Sequence, residues 1–96
     1  MIKYVIHAKK WFDKVNGNTY HAVRVLDTKH HELISSDFCY GYGDQFMETA
    51  RKIMTNKGWI SSKNKRFSVE DYNQIHIVIE NDCKKKTVQS WGNNES

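Results

Sequence analysis

Apolar and polar residues alternate along the first forty positions and then change to a helical period. From Ile2 to Phe12, the residues Ile2, Tyr4, Ile6 and Ala8 fall on one side and Lys3, Val5, His7 and Lys9 on the other, the signature of a half-buried strand. Thr19 to Leu26 repeats the pattern, with Tyr20, Ala22, Arg24 and Leu26 opposite His21, Val23 and Val25, and the β-branched side is assigned to the interior. Between these strands Asn16-Gly17-Asn18 predicts a tight type I′ hairpin, because both central residues of that turn need positive φ and Asn-Gly tolerates it best. A polar connection over Asp27 to His31 leads to a third expected strand, Leu33 to Tyr40, with Ile34, Phe38 and Tyr40 on one face.

The period changes after Tyr40-Gly41-Tyr42-Gly43-Asp44-Gln45. Phe46, Met47, Ala50, Ile53 and Met54 share one helical face, while Gln45, Glu48, Thr49, Arg51, Lys52 and Asn56 take the wet side, so a helix is predicted from Gln45 to Lys57. Asp44 is placed as its N-cap, its carboxylate accepting from first-turn N–H groups, and Gly58 as its left-handed stop with Trp59 folding back on Met54. The basic run Ser61-Ser62-Lys63-Asn64-Lys65-Arg66 reads as a surface loop, and Ser68-Val69-Glu70-Asp71 as a capping box for a single turn. Ile75, Ile77 and Ile79 alternate with His76, Val78 and Glu80 as a further strand. Cys83 to Val88 reads as an optional charged edge strand whose lysines discourage edge pairing. The expected fold is a two-layer α+β domain: an antiparallel meander of three strands, one amphipathic helix packed on it, then one or two further strands, β-β-β-α-β(-β). Residues 1–90 form the compact domain and 91–96 a polar tail in which Trp91 is the residue able to dock.

Ninety-six residues make one core, and ordering them costs on the order of 100–200 kcal/mol of conformational entropy, so most of the 39% apolar residues must be buried. Fifteen Lys and Arg against eleven acids give a net charge of +4, which favours a polyanionic partner. Cys39 and Cys83 lack metal-ligand spacing and read as reduced thiols. No opening stretch has signal-peptide character, no apolar run is long enough to span a membrane, and proline is absent, which excludes stiff Pro-rich linkers.

Two places carry binding chemistry. At the strand-to-helix junction Gly41 and Gly43 let backbone approach a ligand, Gln45 opens a helix with free N–H groups, and Tyr40 and Tyr42 offer flat faces for a base or sugar. The bland alternative is that the glycines serve the tight turn alone. At the first hairpin, Lys9, Lys10 and Lys14 flank Trp11 near Asn18, Tyr20 and His21, so lysines can pair phosphate while an indole stacks on a base. Here the alternative is that Trp11 and Phe12 cap the core while the lysines stay solvated. His7, His21, His30, His31 and His76 show no zinc spacing, and no nucleophile, base and orienting group assemble from the sequence. No catalytic residue, metal or cofactor is assigned, and the chain is read as a binding protein rather than an enzyme.

Two stretches, Lys9-Lys10-Trp11-Phe12-Asp13-Lys14-Val15-Asn16-Gly17-Asn18-Thr19-Tyr20-His21 and Tyr40-Gly41-Tyr42-Gly43-Asp44-Gln45-Phe46, together resemble a set of small, largely uncharacterised proteins encoded by tailed bacteriophages. The resemblance covers residues 4 to 59 and implies a phage accessory protein made in the host bacterial cytoplasm, one that binds and blocks. The expected ligand is a phosphate-bearing nucleotide signal of host immunity, sequestered without covalent chemistry. A homo-oligomer with shared pockets would bring the hairpin beside the glycine turn. The rival expectations are an inhibitor of a host defence protein such as a CRISPR effector, and a DNA- or RNA-binding protein acting through its lysines.

Overall fold

The computed structural model describes residues 2–41, 43–60 and 67–92; the expectations for Tyr42 and for the basic loop at 61–66 fall outside them. Two long strands, β1 (Tyr4–Asp13) and β2 (Asn18–Asp27), pair antiparallel from Tyr4↔Asp27 to Asp13↔Asn18. β3 (Glu32–Ser35) and the short β4 (Cys39–Tyr40) both pair antiparallel with β2. Helix α1 (Gln45–Lys57) and the short α2 (Val69–Asn73) follow, then β5 (Ile75–Glu80), which lies parallel to β1, and helix α3 (Lys85–Gly92). Among the described residues the five strands make one mixed sheet in the order β3-β2-β1-β5, with β4 also on β2.

Alternation sets the two faces. Ile6 and Ala8 of β1 lie beside Val25 and Val23 of β2, and these four pack with Phe46, Ala50 and Met54 of α1, Phe67 and Ile75 as the buried core. Burying a ring such as Phe46 contributes roughly 1.5–3 kcal/mol by its removal from water. The helix ends as its sequence dictates: Gly58 adopts φ 84°, its N–H donates to Met54 O and Thr55 O, and Trp59 N–H reaches Met54 O at 2.9 Å. Trp59 then stacks on Tyr4 with centroids 5.3 Å apart. The capping box of α2 is also formed, Asp71 N–H donating to Ser68 Oγ and Ser68 N–H to the Asp71 carboxylate.

Four local expectations are corrected. The first hairpin has a longer loop than the type I′ turn allows. Asp13 pairs with Asn18, only Gly17 of the loop has positive φ, and Gly17 N–H donates to Asp13 O. The cause is Asp13, whose carboxylate accepts from Val15 N–H, Asn16 N–H and Asn16 Nδ2 and winds the loop around itself. Asp44 stands at the start of α1 without a side-chain cap bond, because its backbone (φ −91°, ψ 12°) is not the extended conformation that swings a carboxylate over the first turn.

The third strand is broken. Arg24 pairs with Ser35 and His21 with Cys39, so Ala22 and Val23 of β2 face Ser36, Asp37 and Phe38, a bulge of one extra residue. Ser36 makes the bulge affordable: its N–H donates to Val23 O, and its Oγ accepts from Val23 N–H at 3.0 Å. Because side chains alternate, one extra residue turns everything beyond it to the opposite face. Ile34 faces α1 as expected, but Phe38 and Tyr40 do not share its side.

Finally, Cys83 to Val88 is not an edge strand. It leads into and forms the first half of α3, which crosses the outer face of β1 and β2, and Trp91 belongs to that helix rather than to a loose tail. Val88 is fully buried against this face, where Ala22 is fully buried too. Thr87, Val88 and Trp91 form a narrow helical stripe, whereas the period-two reading left Lys84 to Lys86 as edge guards. The domain therefore has three layers, with the sheet between α1 and α3.

Candidate functional site

The outer face of the sheet is built in cross-strand rows. His7, Arg24 and Lys9 lie under α3, and all three gather around one indole. Arg24 Cζ is 4.0 Å and Lys9 Nζ 4.4 Å from the Trp91 ring centroid, His7 meets it edge-on at 4.5 Å, and Trp91 Nε1 donates to His7 O. Glu80 Oε2 accepts from His7 Nε2 at 2.6 Å and Lys9 Nζ at 3.3 Å, and these bonds, the His7 one first, hold the Glu80 carboxyl below the usual carboxylate range. This half of the face is a docking pin for α3.

The next row is aromatic. Trp11 and Tyr20 are register partners whose rings stack at 5.5 Å, and Phe38 continues the stack on Tyr20 at 5.1 Å with planes 7° apart. Tyr40 meets Tyr20 edge-on at 5.6 Å and is 61% exposed. The bulge is what delivers Phe38 and Tyr40 to this face. At the other end Lys85 Nζ lies 5.4 Å from the Trp11 centroid. Cys83 N–H donates to Lys10 O, fixing the entry to α3 against β1 and bringing Lys84 and Lys85 beside the hairpin. Trp11, Phe12, Lys14, Asp82, Cys83 and Lys84 line an open groove of ≈ 340 Å³ there.

The expected ligand residues separate into three groups. Trp11, Lys14, Tyr20 and Tyr40 lie together at this end of the outer face, with Asn18 at the start of β2. Lys9 and Lys10 already hold partners: Lys9 as described, and Lys10 with its ammonium donating to Gly43 O at 2.6 Å and lying over the Phe46 ring. Gly41, Gly43, Gln45 and His21 serve the junction itself. Gly41 N–H donates to Thr19 O, and a side chain at Gly41 would meet Gln45 Cβ at 2.8 Å and His21 Cε1 at 3.0 Å, so this glycine allows helix, turn and strand to approach. The hairpin and the glycine turn thus meet within one chain, and no second subunit is needed to join them.

His21 is 1% exposed and beyond a ligand's reach. Its Nδ1–H donates to Gly41 O at 3.2 Å, which leaves Nε2 to accept from the Thr49 hydroxyl at 2.7 Å. Burial above all lowers its pKa from 6.5, with the Lys10 charge acting the same way and the bond to Gly41 O acting against both. Its place on the buried face with Val23 and Val25 was the signal of this role. The sequence reading passed over Phe38, assigned to the wrong face, and Phe12, Lys84 and Lys85, for which α3 was the missing link.

Both cysteines are free, and burial raises the Cys39 thiol pKa. Among the described residues no group of three or more His, Cys, Asp or Glu could hold a metal ion, and no helix is long and apolar enough to cross a membrane. No family model, curated protein or solved structure matches the chain.

Proposed function

We propose that this chain is a non-enzymatic binding protein for a phosphate-bearing nucleotide, held in the groove that wraps round the end of β1 between the first hairpin and α3, with Trp11 on the outer face and Phe12 on the other. The observation that carries the reading is the placement of Lys85 over Trp11 beside a groove shared by Phe12, Lys14 and Lys84. Phe12 is 46% exposed and can meet a base, while Lys14 and Lys84 bring two positive charges against Asp82 in the groove lining, and Lys85, which also acts on Asp13, stands beside it over Trp11. The stacked ladder behind them is a rigid wall rather than a slot, since its inner ring faces are already used. Lys9, Lys10 and His21 are left out of the ligand set because each has an internal partner. The phage resemblance makes a host immune nucleotide the ligand class and sequestration in the bacterial cytoplasm the biological role.

The test is to purify the protein from bacteria with an active nucleotide-signalling defence, release bound small molecules by heat and analyse them by mass spectrometry. A Lys14→Ala, Lys85→Ala double variant serves as control, since both side chains are exposed. A nucleotide released from the natural chain and missing from the variant is expected; its absence from both, with free signal detectable, would refute the reading. The openness of the groove favours single-stranded nucleic acid as the second reading. Its mark is log affinity falling against log salt by about 0.7 for each phosphate neutralised.

A further inference from the structure

The two edges of the sheet are unlike. On one side β3 is four residues long and is followed by the bulge, which interrupts any ladder extending from it. On the other, β5 is six residues of Ile-His-Ile-Val-Ile-Glu with neither lysine, proline nor bulge, and among the described residues β1 is its sole ladder partner. The helices cover β1 and β2 and leave the far end of β5 bare: Ile79 is 42% exposed, and His76 and Glu80 are exposed. Among the described residues this edge carries no lysine, proline or bulge to keep it from pairing, and its exposed polar residues are His76 and Glu80.

We infer that β5 is a homodimer edge, pairing antiparallel with β5 of a second copy about a two-fold axis through Val78. The register follows from the faces. A two-fold perpendicular to the sheet keeps each face on its own side, so opposed residues must share a face, and their numbers must sum to an even value. Centring on Val78 opposes Ile77 with Ile79 on the α1 side, covering the exposed Ile79 twice over. On the outer side it opposes His76 with Glu80, again twice. His76 has no hydrogen bond or ion pair among the described residues, and both bonds of Glu80 fall on Oε2, leaving Oε1 for the partner's imidazole. Centring on Ile77 instead opposes His76 with Val78 and leaves both charged groups unmatched. It is this self-complementarity that selects a second copy over a foreign strand.

The inference stands apart from the nucleotide reading. The two-fold would turn both aromatic and lysine surfaces to the same side of one continuous sheet. Five paired residues on each side bury less than the ~1,200 Å² of a stable complex, so the dimer forms with rising concentration rather than permanently.

The test uses light scattering on the full chain across a concentration series, together with oxidative cross-linking. The mass should climb from 11.3 kDa toward twice that value. Val78→Cys should cross-link spontaneously, because opposed Cα atoms of an antiparallel pair lie about 4.5–5.5 Å apart, within disulfide range. Ile77→Cys and the natural chain, which retains Cys39 and Cys83, should not. Ile79→Lys, with unchanged far-ultraviolet dichroism, should weaken the dimer by about tenfold or more. A mass fixed at the monomer, a dimer indifferent to Ile79→Lys, or cross-linking through Ile77→Cys in place of Val78→Cys would each overturn the proposal.

Discussion

The face of the sheet under α1 and the face under α3 solve one burial problem with different chemistry. Under α1 the solution is apolar: Ile6, Ala8, Val23 and Val25 meet Phe46, Ala50 and Met54, and the buried His21 is bonded at both ring nitrogens. Under α3 the solution is cationic and aromatic, with Lys9, Arg24 and His7 around Trp91, and Trp11, Tyr20 and Phe38 stacked beyond them. The first surface is sealed beneath the helix, and among the described residues of β5 on this side Ile79 reaches water at the sheet edge. The second leaves edges, charge and half-exposed rings in contact with water. Apolar burial concentrates on one face, and exposed charge and aromatic surface on the other.

The largest effect should come from the sealed face. Phe46→Ala removes the biggest fully buried side chain and leaves a cavity between α1 and the sheet, so unfolding in urea should show a loss of about 3–5 kcal/mol. A loss below about 1 kcal/mol would mean that the two faces do not differ as described. Next comes the bulge that divides the faces. Ser36→Ala strips the acceptor from Val23 N–H in the middle of β2, at an expected cost of about 1–3 kcal/mol, read in the same titration. Hydrogen exchange at Val23 should rise with it.

The smallest and most discriminating effect is pH. His21 has a folded pKa below 6.5, so the unfolded chain binds its proton more readily; stability is complete above 6.5 and declines as pH falls below it. Glu80 has a folded pKa below 4.5, so its contribution is present above that value and is lost as pH falls through the folded one. The urea midpoint should therefore fall in two stages on acidification, the first from the α1 face and the second from the outer face. His21→Gln should flatten the first stage and Glu80→Gln should reduce the second. Asp13 and Asp27, lowered chiefly by hydrogen bonds from Asn16 and His30, keep part of the acid stage in either variant.

How far the sequence foretold this division depends on how local each signal is. β1, β2, β5, α1 with its Gly58 stop, and the Ser68 capping box rest on periods and motifs a few residues long, and they stand where the sequence places them. The errors come from single residues acting against a neighbouring motif. Asp13 overrides Asn16-Gly17, and one extra residue in β3–β4 reverses the face of Phe38 and Tyr40 without disturbing any hydrophobic period. Lys84 to Lys86 masked the short stripe Thr87, Val88 and Trp91. Trp11, Lys14, Tyr20 and Tyr40 could be named in advance because aromatic and basic residues cluster there in sequence. Phe38, Lys84 and Lys85 could not, because the bulge and α3 bring them in from elsewhere.

The parallel pairing of β1 with β5 sets an order on synthesis. β1 and β2 emerge together and can close their hairpin at once, yet β1 keeps its other edge open until β2 to β4, α1 and α2 have been made. Its outer face waits longer still, for Val88 and Trp91. Through most of translation the nascent chain thus displays an unpaired central strand, a template for neighbouring chains on the same message. A product stalled before residue 75 exposes a central edge of β1 that the folded protein pairs with β5. Premature termination in this region would yield a fragment with that edge open instead of a weakened fold.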